Sequence, residues 1–566
     1  MDAESRDYPL EVVESLDPYP VLDDLSLGRL ASYGTDVEVD VGTVVFAAGN
    51  RATMLFLLQT ASVQIVRPAT LLQDEEVLDE LGPGRFVGEF AILTGQRLHL
   101  TVRASRPGRV TTIDLAGFHR LMAQDPELSD LVLRALLARR SRLRRGPAAD
   151  SLVIVGHELS ADTRAVRGYA SRELLPHRWL TPRSDEAARL LDRVGMKDSA
   201  LPVAVLGQRA YAHATPGLLA EAIGLTPPPQ AGPRAPHDVL IVGAGPAGLA
   251  AAVYASSEGL STVLVDAHSV GGQIAGSSRI ENFPGFPFGV SGPTFAARAL
   301  IQALKFGTTI YAPCEAAELL AAAGSYELRL RQGAALYART VIVATGARYR
   351  TLALARWAEF ENAGIFYAAT ELEARACESS PVVVIGGGNS AGQAAVFLAS
   401  RGSLVTLVIR GPDLAAGMSQ YLLERVRAHR RIEVRTSTEI VELHGDTRLQ
   451  AVTLVKRGDA ARQELACSGL FSFIGADPAT EWLTRVDRDQ AGFVTTGEQM
   501  SGDAIACFVQ GAGRRPLPLE SSWPGVFAAG DVRLGSMKRV ASAVGEGATV
   551  VSSIHQALAS TPRAAV

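Results

Sequence analysis

The sequence predicts a multidomain chain: a β-rich N-terminal region closed by a long helix, a small α/β domain, and two doubly wound α/β domains. Three observations predict it. The length, 566 residues, is more than one hydrophobic core organises. Residues 20 to 115 alternate apolar and polar positions in short runs broken by glycine. From residue 238 onward strands alternate with helices, the pattern of parallel sheets, and two glycine-rich strand-to-helix turns begin at Gly243 and Gly386.

Composition narrows the function. The net charge of −4 gives no reason to expect nucleic acid or an acidic membrane as partner. The start, "MDAESRDYPL", has no apolar core of a secretory signal, and no apolar run reaches spanning length, so a cytoplasmic protein without a membrane partner is expected. The four cysteines, Cys314, Cys377, Cys467 and Cys507, form no CxxC pair. No metal site is expected from them, and each is read as a buried or inert thiol.

Within the N-terminal region, "VEVDVGTVVFAAGN", "MLFLLQTASVQIV", "LHLTVRAS" and "RVTTIDL" read as strands. The helix "PELSDLVLRALLARRSRLRR" follows, and its cluster Arg139, Arg140, Arg142, Arg144 and Arg145 is read as a solvated helix end favoured by the backbone dipole. Residues 151 to 225 supply two short strands and two helices, and "TPPPQAGPRAPHD" reads as a stiff, extended linker.

The stretch "DVLIVGAGPAGLAAAVYASSEGLSTVLVDA" is a dinucleotide fingerprint. Gly243 allows the tight turn, Gly245 lets a pyrophosphate approach the helix N-terminus, and Gly248 lets helix and strand pack closely. Pro246 and Ala247 open the helix, and Asp266 ends the second strand, where a carboxylate can bond a ribose hydroxyl. A second fingerprint, "PVVVIGGGNSAGQAAVFLASRGSLVTLVIRG", places Gly386, Gly388, Asn389 and Ser390 in the same roles. Its second strand ends at Arg410, which suits a 2′-phosphate and favours NADP over NAD. Two fingerprints imply a flavin and a nicotinamide with hydride passing between them.

Residues from about 236 to 566 resemble the thioredoxin reductases. "GGQIAGSSRIENFPGFP" looks like the flavin-contact segment of that family and implies roles for Gly272, Gln273 and Asn282. "VIVATGA" matches the turn closing the FAD half, with Thr345 and Gly346. "GVFAAGDV" matches the late flavin motif, implying that Gly530 and Asp531 reach the ribityl chain. "KRVASAVGEG" matches the helix start facing the flavin ring, where Val540 and Ala541 offer backbone contacts only. The resemblance implies FAD and NADP(H) as cofactors, a homodimer, and a nicotinamide domain inserted within the FAD domain. The family carries a Tyr-Cys-x-x-Cys segment before the second fingerprint. Here the residues are Tyr367, Ala368, Ala369, Thr370 and Glu371. Neither alanine nor glutamate exchanges electrons with a disulfide, so dithiol-based reduction of thioredoxin is not expected, and no side chain is assigned as catalytic.

Residues 20 to 145 resemble the β-roll of cyclic-nucleotide-binding proteins through "GTVVFAAGN" and "FVGEFAILTGQR". The resemblance implies a site at Gly88, Glu89, Ala91 and Arg97 for cyclic AMP or cyclic GMP as regulator, although Arg97 precedes bulky Leu98, His99 and Leu100 where small residues are usual. Residues 151 to 225 resemble a glutaredoxin-like, thioredoxin-shaped domain, with Pro202 at the cis-proline position and Ser160-Ala161-Asp162-Thr163 where a CxxC belongs. The expected boundaries are 1–147 for the β-roll domain, 150–226 for the small domain, 227–236 for the linker, 237–348 with 476–566 for the FAD domain, and 349–475 for the NAD(P)H domain. The expected function is an FAD-dependent NADPH oxidoreductase whose acceptor is a small molecule or a redox protein. The alternatives are a ligand or redox sensor with little turnover, and a ferredoxin–NADP reductase.

Overall fold

The computed structural model describes residues 17–71, 73–145, 151–158, 160–227, 235–276, 280, 282–361, 363–367, 369, 373–374, 377, 380–459 and 461–560. Ala368, Thr370 and Glu371, and residues 228–234 of the expected linker, lie outside the described residues.

The N-terminal region folds into two facing four-stranded antiparallel sheets. One runs in the order Thr35–Val39, Gly108–Asp114, Met54–Leu58, Arg85–Val87; the other in the order Val44–Phe46, Thr101–Arg106, Ser62–Arg67, Glu76–Leu81. Their facing side chains, among them Leu58, Val63, Val87 and Val102, are buried. The helix Pro126–Arg145 closes the roll. Asp125 caps its start by accepting from Leu128 N, and Leu128, Val132, Ala135, Leu136 and Leu143 form the helical stripe that packs inward.

Residues 151–226 hold a four-stranded sheet in the order Arg178–Leu180, Leu152–Val155, Val203–Leu206, Arg209–Tyr211. The first pair is parallel and the others antiparallel. The Leu201–Pro202 peptide is cis. Ser160 caps the helix Ala161–Arg172 by accepting from Thr163 N.

The seven-stranded sheet that follows has the parallel core Thr309–Tyr311, Thr262–Val265, His237–Val242, Ala335–Val343, with Val526–Ala528 returning beside Ala335–Val343. Leu240, Ile241, Val263 and Leu264 are fully buried, which is why these strands read as unbroken apolar runs. The helices Pro246–Ser257 and Val540–Ser560 pack together on one face of it. A second parallel sheet, Ile365–Phe366, Gly469–Ser472, Pro381–Ile385, Leu404–Val408, Ile432–Arg435, carries the second fingerprint. The two crossovers between these sheets pair antiparallel as Ala347–Tyr349 with Ala476–Pro478. One continuous apolar cluster runs from Leu30, Leu55 and Phe118 of the roll through Leu174 to Val239, Leu249 and Ile554 of the first doubly wound sheet.

Candidate dinucleotide sites and the closed β-roll

The first fingerprint is built by three glycines under three different constraints. Gly243 has φ of +111°, and a Cβ there would stand 2.3 Å from the Ala344 carbonyl oxygen. A Cβ on Gly248 would stand 1.8 Å from the Gly243 oxygen, so helix and turn are locked together. Gly245, the N-cap of the helix Pro246–Ser257, meets nothing within 4 Å. The open side therefore lies over the helix N-terminus, where backbone N–H groups and the dipole favour an anion. Asp266 accepts from Ala244 N, His268 N and Ser269 N, which holds the second strand against the turn.

Gly272, Thr345 and Gly530, three of the other expected flavin residues, lie against this turn. A Cβ on Gly272 would stand 3.0 Å from Gly245 Cα, and Gln273 donates to the Ala347 carbonyl at the crossover. Thr345 donates to the Ala479 carbonyl, and Gly346 has φ of +63°. A Cβ on Gly530 would lie 2.9 Å from Ala247 Cβ, so the returning strand brings the Gly530–Asp531 turn to the fingerprint helix. Glu546 accepts from Gly530 N and pairs with Arg533, fixing that turn. Burial pushes the Asp531 carboxyl up, against the pull of Lys538. Val540 begins the helix Val540–Ser560 beside the cluster of Ile274, Ile280 and Ala296, and Ala541 is exposed. Asn282 is exposed.

At the second fingerprint a cavity of about 650 Å³ opens between the sheet ends and the crossover, lined by Gly386, Gly387, Arg410, Asp413 and Glu439 with Arg350 and Thr351. The Gly386 position is as tight as Gly243, 2.2 Å from the Phe473 oxygen. Gly388 caps the helix Asn389–Ser400; Asn389 accepts from Ser419 N, and Ser390 is exposed. The charges lining the cavity are mostly matched. Arg350 bonds Asp477, Glu439 pairs with Arg457, and Asp413 lies 3.7 Å from Arg427. Arg410 is exposed and has no such partner among the described residues.

Three of the four thiols are buried as expected, whereas Cys507 is exposed. Burial pushes Cys314 and Cys467 up to about 12 and raises Cys377, so all three stay protonated and unreactive at neutral pH. Where a dithiol segment begins, Tyr367 instead stacks on Tyr349 of the crossover, ring centroids 5.2 Å apart and 6° from parallel. Its hydroxyl accepts from Trp357 Nε1 and donates to Glu361. Burial, with the Asp531 charge, pushes the Tyr349 phenol up to about 12.

The roll is different. Gly88, Glu89 and Ala91 lie together and buried, but Glu89 spends its carboxylate on His99 N and Leu100 N, the backbone donors of the following loop. Arg97 does not join them: its guanidinium donates to the Gly49 carbonyl at the surface, and its N–H bonds Ile223 of the small domain. The cavity beside Glu89 is about 20 Å³, room for roughly one water. Arg139 fills the rest. It donates to the carbonyls of Pro18, Gly88 and Phe86 and lies over the rings of Tyr19 and Phe86. Arg139 and Arg140 are therefore buried, not part of a solvated helix end: Arg140 bonds Leu174 O and Gln96. The periodicity held the signal, since Arg139 continues the stripe Leu128, Val132, Ala135, Leu136 at helical spacing.

The sequence profile of the pyridine nucleotide-disulphide oxidoreductases matches residues 237–547, more than half of the chain. The chain belongs to that family. This oxidoreductase is fused to a cyclic nucleotide-binding domain, whose profile matches residues 36–125. It is similar to the thioredoxin reductase of Treponema pallidum (strain Nichols), 33% identical over 317 residues that cover 55% of this chain and 94% of that one. It is equally similar, at 33% over 317 residues, to an NADH dehydrogenase of Bacillus subtilis (strain 168), covering 56% of this chain and 57% of the other. Among solved structures, thioredoxin reductase from Lactococcus lactis superposes with a TM-score of 0.50 at 25% identity, over 57% of this chain and 99% of that one. Among the described residues, no helix of the oxidoreductase is long and apolar enough to cross a membrane, and no cluster could hold a metal ion. Sequence reasoning missed the roll's plug, Arg139, and the stack of Tyr349 on Tyr367.

Proposed function

We propose that this chain is an FAD-dependent NADPH oxidoreductase that delivers electrons to its acceptor without a dithiol relay. The observation that carries the reading is the presence of two intact dinucleotide cradles on a chain with no cysteine between Tyr367 and Glu371. When bound, the two dinucleotides supply the hydride donor and its acceptor ring. The residues hold and orient. The N-terminus of the helix Pro246–Ser257 takes the FAD pyrophosphate, Asp266 its ribose, and the Gly530–Asp531 turn its ribityl chain. The second cavity takes the nicotinamide dinucleotide, and Arg410, an exposed cation in its lining, favours the 2′-phosphate of NADPH. The Tyr349–Tyr367 stack joins the crossover to the segment that replaces the dithiol, and it supports transfer to an acceptor that meets the flavin directly, a small oxidant or a redox protein.

The test is an acceptor screen on the purified yellow protein. NADPH oxidation should proceed with quinone-type or one-electron acceptors, and thioredoxin disulfide should not be reduced. Robust thioredoxin reduction that survives replacement of all four cysteines would overturn the reading, as would a protein that refuses FAD.

A further inference from the structure

We infer that Arg139 is the resident ligand of the β-roll, and that the roll in this chain is a brace closed on itself rather than a receptor for a cyclic nucleotide. A receptor needs a cavity, free donors for a phosphate and a free acceptor for a sugar hydroxyl. None is free here. The cavity is about 20 Å³. The loop donors His99 N and Leu100 N are already bonded to Glu89, the carboxylate that lines this cavity. The planar guanidinium of Arg139 is seated as a bound cation is: three carbonyls accept from it, and two aromatic rings lie 4.5 Å and 4.7 Å from its central carbon.

The loop that would respond to a ligand has other work. Gln96 donates to the Glu173 carbonyl and accepts from Arg140, Arg97 N bonds Ile223 O, and Arg51 bonds Gly224 O. All but the Arg140 contact cross to the small domain. Expelling Arg139 means moving the helix Pro126–Arg145, whose Leu128, Val132 and Leu136 sit in the cluster shared with the FAD half. The roll is thus sealed from inside and anchored from outside. This conclusion stands apart from the oxidoreductase reading and survives its failure.

Calorimetric titration of the full, FAD-loaded chain with cyclic AMP and with cyclic GMP should give no saturable binding up to about 1 mM. A Kd below about 100 μM for either nucleotide, lost in Glu89→Gln, would overturn the inference. The positive arm uses Arg139→Ala with ethylguanidinium as probe. At about 20 mM it should raise the unfolding midpoint of the variant by about 2 °C and leave the wild type unmoved. If the variant folds only with the probe present, recovery of the yellow protein in ethylguanidinium, and not in an equal concentration of tetramethylammonium, is the same result. An equal response of variant and wild type, or a response to both cations, overturns the assignment of Arg139 as ligand.

Discussion

The turn Gly243–Gly248 and the turn Gly88–Glu89 carry the same kind of sequence message: a glycine that brings backbone close to a phosphate, then the start of a helix. In the first, Gly245 faces empty space. In the second, a Cβ on Gly88 would stand 2.6 Å from Leu55 Cδ1, and the Gly88 carbonyl is taken by Arg139. The difference teaches that a cradle motif specifies a backbone path, not a vacancy. What decides vacancy is the next layer: the side of Gly245 that a Cβ would occupy is open and its neighbour Gly272 is itself a glycine, whereas a long helix lays an arginine beside Gly88 and Glu89.

The comparison breaks most readily at Gly248. Gly248→Ala puts a methyl into the Gly243 carbonyl, a backbone atom that cannot rotate away, so a loss of on the order of 4 kcal/mol and of all flavin colour is expected by chemical unfolding and absorbance. If the variant stays yellow and stable, the tight packing of this cradle is wrong.

His99 of the roll and Glu173 of the joint should contribute pH dependences of opposite sign. His99 is buried, its Nε2 has no hydrogen-bond partner among the described residues, and burial with the Arg140 charge lowers its pKa from 6.5 to about 3. Between those values the unfolded chain binds the extra proton, so stability falls as pH drops from about 6.5 toward 3. His99→Leu removes this loss and should recover on the order of 2 kcal/mol at pH 4.5. Glu173, in the joint, is pushed from 4.5 up to about 7 by burial. There the folded chain holds the extra proton, so stability falls as pH rises from about 4.5 through 7, and Glu173→Gln should flatten that limb. Denaturant titrations across pH check both; slopes of one sign at the two residues would contradict this arrangement.

Two smaller effects sharpen the contrast. Arg410→Ala should weaken NADPH about tenfold and leave NADH nearly unchanged, read from KM for each. An equal loss for both would mean that Arg410 does not read the 2′-phosphate. Gly245→Ala should keep stability within about 0.5 kcal/mol while loosening FAD, whereas Gly88→Ala should cost the roll about 1–2 kcal/mol.

The dinucleotide halves were legible because their information is local. A strand, three glycines and a helix lie within about twenty residues of one another, and buried parallel strands declare themselves as apolar runs such as "VLIV". Arg139 was misread because its partners are remote: it bonds Pro18, 121 residues earlier. A basic residue near a helix end suits solvent by charge and the core by phase, and only the tertiary partners decide between them. The same holds for Tyr169, whose hydroxyl donates to the Ala312 carbonyl 143 residues on and ties the small domain to the FAD half.

The apolar cluster shared by roll and FAD half bears on how the chain is made. The short helix Ala91–Thr94 of the roll packs against the helix Gly292–Lys305 of the FAD half. A ribosome completes the first of these roughly 200 residues before the second, and at about 5–20 residues per second the roll waits about 10–40 s for its partner surface. During that interval the face formed by Ala91, Ile92 and Leu93, buried in the finished protein, meets water or a chaperone. The plug on Arg139 does not need that partner: its three carbonyls and both aromatic rings are synthesised before it, so the nascent roll can close around its own cation while the rest of the chain is still emerging.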